Sequence, residues 1–246
     1  MSPTSLEEGN VTALASILAY CAERRGNDSW GIASIEQEKV SIIKNVGSIL
    51  ETGLINKMVG STVIGHTRKA TTGEISIKNT HPFHCGKIVG AHNGFVYNHK
   101  EMNVKHKREH ECDSPHIFDH INAELPLGEL DAAGTVSYVH LGHPDTVYLG
   151  RGFYSDLSVH GIGPAEKPLG IVWGSVHLWV KEALQFAGFK NTFEYETQTS
   201  QLYSIQDYLL YEAGEFLLKA HPTYIQSTPH HIPGLTYQGH HNSYGK

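Results

Sequence analysis

The sequence predicts a single α+β domain over most of its 246 residues, and three observations lead to this fold class. An amphipathic helical pattern occupies the N-terminal part of the chain. Short apolar runs with the length of β-strands follow it, and two further helical patterns lie among those runs. Because no internal repeat or linker interrupts residues 1–218, we expect one domain over residues 1–220 and a tail over residues 221–246.

The first helix is predicted over residues 10–24. Its apolar positions recur at helical spacing and are Val11, Leu14, Leu18 and Cys21. Asn10 is suited to cap this helix, and the Gly26-Asn27-Asp28 turn is suited to end it. Cys21 lies on the apolar face, so we expect it to be a small buried core residue.

Apolar runs bounded by turn residues predict the β-strands. These runs are residues 30–35, 61–66, 87–92, 135–141, 146–150 and 170–173. A second helix is predicted to begin at Pro115, since proline is favoured at the first helical position. Its buried stripe would consist of Ile117, Ile121 and Leu125. A third helix is predicted over residues 175–186, directly after the last strand.

Composition and charge exclude several classes of function. The formal net charge of −6 argues against non-specific nucleic-acid binding. No apolar run is long enough to cross a membrane, and three cysteines without a CxxC pair suit a reducing compartment. We therefore predict a cytoplasmic protein. Residues 221–246 are rich in Pro, Gly and His and lack apolar periodicity, so we expect a tail that the fold does not need.

Three short motifs bring together side chains suited to binding an amino acid. They are RGNDSWGI at residues 25–32, GHTRKATTG at 65–73 and AHNG at 91–94. Arg68 offers a planar fork for a carboxylate, and Asp113 offers a carboxylate for an ammonium group. Asn93 and the backbone N–H of Gly94 are neutral donors suited to an oxyanion. Asn93-Gly94 also predicts a hairpin turn, and Asp113 alone could be a helix N-cap.

In this order the motifs resemble the glutaminase domain of the class II glutamine amidotransferases, which are N-terminal-nucleophile hydrolases. The resemblance covers roughly residues 10–218 and implies a four-layer αββα sandwich with two facing antiparallel sheets. It implies hydrolysis of L-glutamine to glutamate and ammonia through a γ-glutamyl-enzyme intermediate, without a cofactor. The ammonia would go to a separate acceptor subunit, or the domain would act alone. The oligomeric state stays open.

The resemblance also assigns roles to individual residues. Arg68 would bind the carboxylate of glutamine, Thr71 would line its pocket, and Asp113 would hold its ammonium group. Asn93 and Gly94 would form the oxyanion hole.

Two further residues would support the site, and three depart from the family pattern. Arg25 would help to position the N-terminal residue, and His81 belongs to the matching motif His81-Pro82-Phe83. Lys69 stands where the family commonly has an aromatic residue, Thr72 where it often has histidine, and Pro115 where glutamate is frequent. We expect these departures to change the pocket without removing it.

The N-terminus differs most from the family pattern. The family uses an N-terminal cysteine whose thiol attacks the amide and whose α-amino group takes up the proton. This chain begins Met1-Ser2-Pro3, and residues 1–9 lack the expected strand pattern. Three explanations stay open, in this order of preference: the true start is missing, the protein is a catalytically inactive binding or structural subunit, or Ser2 is the nucleophile. For the chain as printed we expect little or no glutaminase activity.

A histidine-rich segment raises a different hypothesis, that of a metal-binding protein. The segment contains His106, His110, Cys112, His116 and His120. His116 and His120 have the i, i+4 spacing of metal ligands on a helix. Because the spacing matches no zinc motif, we interpret these residues as polar loop and helix surface and predict no metal site.

Overall fold

The structure is a computed structural model that describes residues 8–37, 39–51 and 60–219. Ser2 and residues 221–246 lie outside the described residues, so the predictions about them stay predictions. The helices are Glu8–Glu23 (α1), His99–His106 (α2), Pro115–Asn122 (α3) and His177–Phe186 (α4). Two short 3₁₀ turns cover Ile49–Glu51 and Leu127–Glu129.

Twelve strands occur among the described residues. They are Ser29–Glu36 (β1), Lys39–Val46 (β2), Thr62–Arg68 (β3), Phe83–Cys85 (β4), Ile88–Val96 (β5), Ala132–His140 (β6), Val147–Arg151 (β7), Ser158–Ile162 (β8), Gly170–Gly174 (β9), Thr192–Tyr195 (β10), Gln201–Gln206 (β11) and Leu209–Glu215 (β12). They form one six-stranded sheet, in the order β12-β11-β7-β6-β5-β4, and two three-stranded sheets, β2-β1-β3 and β10-β8-β9.

The two three-stranded sheets form one layer that faces the six-stranded sheet. Ile35 and Ile64 of the first small sheet and Val159 of the second pack in one apolar core with Val139 and Leu149 of the large sheet. The expectation of two facing antiparallel layers is therefore confirmed. Among the described residues, however, one of these layers consists of two sheets that share no hydrogen-bonded strand pair.

Helices cover both outer faces of this sandwich. On one side Leu14 of α1 and Val180 of α4 pack against Val172 of β9. On the other side Phe118 of α3 packs against Phe83 and the rest of a second core on the large sheet. The two facing sheet layers therefore lie between helical layers, and the architecture is the αββα sandwich that the resemblance implies.

The predicted strands and helices are confirmed in position, with shifted ends. The Asn10 cap is wrong because α1 already begins at Glu8. The sequence analysis missed helix α2 because Met102 is its only buried residue, which leaves no apolar stripe. It also missed six strands, among them β12, whose residues are mostly exposed.

The cysteines and the C-terminal boundary complete the comparison. Cys21 is buried, as predicted, and Cys85 is the last residue of strand β4. Phe216 and Leu218 belong to the core under the large sheet, and the Lys219 N–H donates to the Leu130 carbonyl. The described chain is thus anchored up to the start of the predicted tail. None of the described helices has the length and apolar character needed to span a bilayer.

Candidate active site

A cavity of about 330 Å³ lies where the end of β3, the middle of β5 and the start of α3 meet. All the predicted site residues that the structure describes line this cavity, and they are Arg25, Arg68, Thr71, His81, Asn93, Gly94 and Asp113. The structure therefore brings together residues from separate parts of the sequence. The volume of the cavity is at the small end of the range for ligand pockets, which suits a ligand of the size of an amino acid.

Arg68 is the last residue of β3, and only 4% of it is exposed. Its guanidinium group donates to two backbone carbonyls of the following loop, that of Glu74 at 3.3 Å and that of Thr72 in a short contact. These neutral acceptors hold the guanidinium group in place without neutralising its charge. Among the described residues no carboxylate forms an ion pair with it, so the positive charge can attract an anion entering the cavity.

The turn at residues 25–28 packs tightly against the end of β3. A Cβ atom on Gly26 would lie 2.4 Å from the backbone nitrogen of Lys69, so only glycine fits there. The Asp28 carboxylate accepts the Ala70 N–H at 2.8 Å and faces the Lys69 ammonium group at 3.4 Å. The Ala70 hydrogen bond lowers the pKa of Asp28. This turn positions the exposed Arg25 at the rim of the cavity.

Asn93 and Gly94 lie inside strand β5, opposite Thr135 and Gly134 of β6. The hairpin-turn interpretation is therefore wrong, because the chain continues as a strand to Val96. Glycine is required here by close packing: a Cβ atom on Gly94 would lie 2.0 Å from the carbonyl oxygen of the neighbouring strand's Ala133.

Asp113 lies two residues before Pro115, the first residue of α3, and 4% of it is exposed. Its Oδ2 atom accepts the Val96 N–H at 2.7 Å, and its Oδ1 atom lies 3.6 Å from the Cys112 sulfur. The N-cap interpretation is wrong, because the carboxylate binds strand β5 and Ser114 occupies the cap position. This link fixes the carboxylate beside the strand that carries Asn93 and Gly94.

Three histidines form part of the cavity wall, of which His81 and His92 are buried and His66 is half-buried. Because the Ala133 carbonyl can only accept, His92 must donate to it from Nε2 at 3.1 Å, and its Nδ1 accepts the Ser114 hydroxyl at 3.0 Å. The ring centroids of His66 and His81 lie 4.2 Å apart, and the two ring planes are tilted by 35°. Burial lowers the pKa of all three, that of His66 to about 3. The rings are therefore neutral at pH 7 and leave the positive charge of the cavity to arginine and lysine.

Several cavity residues were missed by the sequence analysis. Gly134, Tyr154 and Ser155 line the cavity from β6 and the segment after β7. Cys112 lines it as well, although the sequence analysis gave it no role there. Gly134 could be found only by knowing that it pairs with Gly94, which short-range sequence patterns do not reveal.

The interpretation of the histidine-rich segment as surface is wrong for Cys112, His116 and His120, which are all buried. The ring of His116 contacts that of His110, whereas the ring of His120 contacts that of His106 on α2. The two helix positions therefore face different partners. This side of α3 therefore contacts His106 at the end of α2 and His110 in the segment after it, which the helical spacing alone could not show.

Comparisons with known proteins agree with this fold and site. The family model described as "Glutamine amidotransferases class-II" matches residues 10–136. Over 115 residues the chain is 39% identical to a glutamine–fructose-6-phosphate aminotransferase (isomerizing) of Haemophilus ducreyi; the match covers 45% of this chain and 19% of that protein. The chain thus spans about a fifth of the length of this curated relative.

Two solved structures show the same fold. One is the allosteric regulatory enzyme of purine biosynthesis, with a TM-score of 0.64 and 17% identity. The other is the glutamine phosphoribosylpyrophosphate amidotransferase from B. subtilis, with a TM-score of 0.62 and 19% identity. Each alignment covers 86% of this chain and 47% of the other. Because the family model matches more than half of the sequence, the chain belongs to the class II glutamine amidotransferases.

Proposed function

We propose that the cavity binds L-glutamine and that the domain hydrolyses its side-chain amide to glutamate and ammonia. The observation that carries this proposal is the placement of two buried, oppositely charged groups, Arg68 and Asp113, on one small cavity. A free α-amino acid carries both complementary charges on one carbon atom. Glutamine in particular has a side-chain amide that could reach Asn93 and the backbone N–H of Gly94, which line the same cavity.

Each part of glutamine has a matching group in the cavity. The carboxylate would bind the Arg68 guanidinium, with Thr71 beside it, and the ammonium group would bind the Asp113 carboxylate. The amide oxygen would lie near Asn93 and the backbone N–H of Gly94. These donors would stabilise the negative charge that develops on that oxygen when a nucleophile attacks the amide carbon.

The nucleophile is proposed to lie outside the described residues. All three cysteines of the chain have a pKa that burial raises, to about 12 for Cys85. Their thiols are therefore protonated at neutral pH and poorly suited to attack, even that of Cys112 in the cavity wall. This assignment is consistent with the N-terminal nucleophile that the family resemblance implies.

The fate of the ammonia and the location of the protein are also proposals. The relative from Haemophilus ducreyi is named for transferring an amino group from glutamine to a sugar phosphate. By analogy we propose that ammonia from this site passes to an acceptor domain or subunit. The three unpaired cysteines support a location in the cytoplasm.

Isothermal titration of the full chain with L-glutamine tests the binding step without depending on the nucleophile. Arg68→Lys keeps the charge but loses the planar fork, so it should weaken glutamine binding roughly tenfold or more. Arg24→Lys, at an exposed ion pair with Glu182, is the matched control and should leave the affinity unchanged. Equal affinities in all three proteins, or no binding at all, would contradict the proposal.

Ammonia release and covalent labelling test the chemical step. The glutamine analogue 6-diazo-5-oxo-L-norleucine alkylates glutaminase nucleophiles, and mass spectrometry of the treated chain identifies the labelled residue. We expect no label on Cys21, Cys85 or Cys112. Glutamine binding without ammonia release would favour the inactive binding subunit, and labelling of Cys112 would refute the assignment of the nucleophile.

A further inference from the structure

Three elements of the outer helical layer meet at a cluster of two histidines and one carboxylate. His106 is the last residue of α2, His120 lies in the last turn of α3, and Glu129 ends the second 3₁₀ turn. One ligand atom from each residue lies within 4.8 Å of the other two. The cluster does not line the glutamine cavity.

The two distances from Glu129 to the histidines are close to those in a metal coordination sphere. The Glu129 Oε2 atom lies 3.3 Å from His106 Nε2 and 3.7 Å from His120 Nε2. Tetrahedral zinc, with bonds of about 2.0–2.1 Å, separates neighbouring ligand atoms by roughly 3.3–3.4 Å. Both distances from Glu129 are close to this separation, and the ligand atoms of the two histidines lie within 4.8 Å of each other, so an ion could bind all three groups after modest side-chain shifts.

The orientation of the histidines also suits a metal. No part of His120 is exposed, and its Nδ1–H donates to the backbone carbonyl of His116 at 2.7 Å. That bond leaves Nε2 as the nitrogen with a free lone pair. A ring N–H bound to a backbone carbonyl is the usual arrangement behind a metal-bound histidine. The Nε2 atoms of His120 and His106 are both buried and make no hydrogen bond to a described residue.

We propose that His106, His120 and Glu129 bind one zinc-like divalent cation, with a fourth position for water or a further ligand. Two imidazoles and one carboxylate are ligands that zinc accepts. The ion would join α2, α3 and the 3₁₀ turn. Helix α3 begins two residues after Asp113, so the metal would hold the far end of the helix that follows the proposed ammonium-binding carboxylate.

Positively charged side chains near the cluster should weaken the binding of a cation, and this effect can be tested. The Lys105 ammonium group lies 2.9 Å from Glu129 Oε2 and would have to move when a cation binds. Arg108 lies near the other side of His120 but is paired with Asp119 at 3.2 Å. Lys105 is therefore the competitor that the metal has to displace.

The experiment uses the full chain, freed of metal with a chelator and then titrated with Zn²⁺ by calorimetry and with Co²⁺ by visible absorption. We expect one tight site per chain and Co²⁺ bands of a tetrahedral complex. Glu129→Gln and His106→Gln should each weaken the tight site at least tenfold. Lys105→Gln should strengthen it severalfold, because it removes the competing ammonium group.

A second His/Glu group supplies the matched control. His160, His177 and Glu194 also lie close together, but His177 and Glu194 are exposed and already paired with each other at 2.9 Å. His177→Gln should leave the tight site unchanged. Circular dichroism of each metal-free variant establishes that it is folded before titration. Equal Zn²⁺ affinity in the wild type, Glu129→Gln and Lys105→Gln, or only weak binding of several ions, would overturn the proposal.

Discussion

Replacement of Asp113 by asparagine should weaken glutamine binding without damaging the fold. The asparagine side-chain oxygen can still accept the Val96 N–H that now binds Asp113 Oδ2 at 2.7 Å. The substitution therefore preserves the link to strand β5 and removes the negative charge. Only the charge should matter for an incoming ammonium group.

The magnitude follows from the position of this carboxylate. It is almost fully buried, so solvent would screen its contact with the ligand only slightly. The contact of Oδ1 with the Cys112 sulfur, at 3.6 Å, is weak and leaves this oxygen available to the ligand. A hydrogen bond to a charged group contributes about 1.5–3 kcal/mol, which corresponds to a roughly ten- to hundredfold rise in Kd.

The assay compares two ligands in a double cycle. L-Glutamine carries the ammonium group, whereas glutaramate has the same amide and carboxylate without it. Calorimetry with both ligands on the wild type and on Asp113→Asn isolates the interaction between the ammonium group and the carboxylate. Asp119→Asn, the same substitution six positions later and outside the cavity, is the control and should not change glutamine affinity.

Two results would refute this reasoning. An equal loss of affinity for glutamine and glutaramate would mean that Asp113 acts through the fold and not through the ammonium group. An unchanged affinity for glutamine would mean that the ammonium group binds elsewhere. In either case a different acidic residue would have to bind the ammonium group of glutamine.

Three further predictions concern stability. Gly94→Ala should lower the free energy of unfolding in urea by about 1–3 kcal/mol or more, because its Cβ would overlap the Ala133 carbonyl. Gly128→Ala is the control, since the space around Gly128 is open. Equal effects of the two substitutions would contradict the packing argument. Burial lowers the pKa of His66 to about 3 in the folded protein, whereas the unfolded ring takes up a proton near pH 6.5. The neutral ring therefore contributes fully to stability above pH 6.5. Below that pH its contribution to the free energy of unfolding falls by about 1.4 kcal/mol per pH unit, until the pH reaches about 3. Urea unfolding between pH 7.5 and 5 should show this slope, and His66→Gln should reduce it; an identical slope in both proteins would refute it. Deleting residues 221–246 should leave the melting temperature nearly unchanged. Phe216→Ala, by contrast, should lower the free energy of unfolding by about 3–5 kcal/mol, because that ring is buried in the core. A large loss of stability on deletion would show that the tail supports the fold.

Local sequence patterns determined most of the strand positions and the residues around the cavity. The start of α3 at Pro115 and the first part of β5, up to His92, were predictable because helix starts and apolar runs depend on neighbouring residues. The chemistry of Arg68 and Asp113 was predictable from their side chains, and the motif order indicated the family. The stacking of the layers came from that resemblance, since periodicity does not specify which faces meet.

Contacts between distant segments were decided only by the tertiary structure. The pairing of β5 with β6 shows that Gly94 is needed for close packing and not for a turn. The covering of α3 buries His120 and places it beside His106 and Glu129, which belong to other elements. A side chain's spacing along its own helix determines the direction in which it points. What it meets there depends on which elements pack together, and that arrangement is set by the burial of apolar surface across the whole chain.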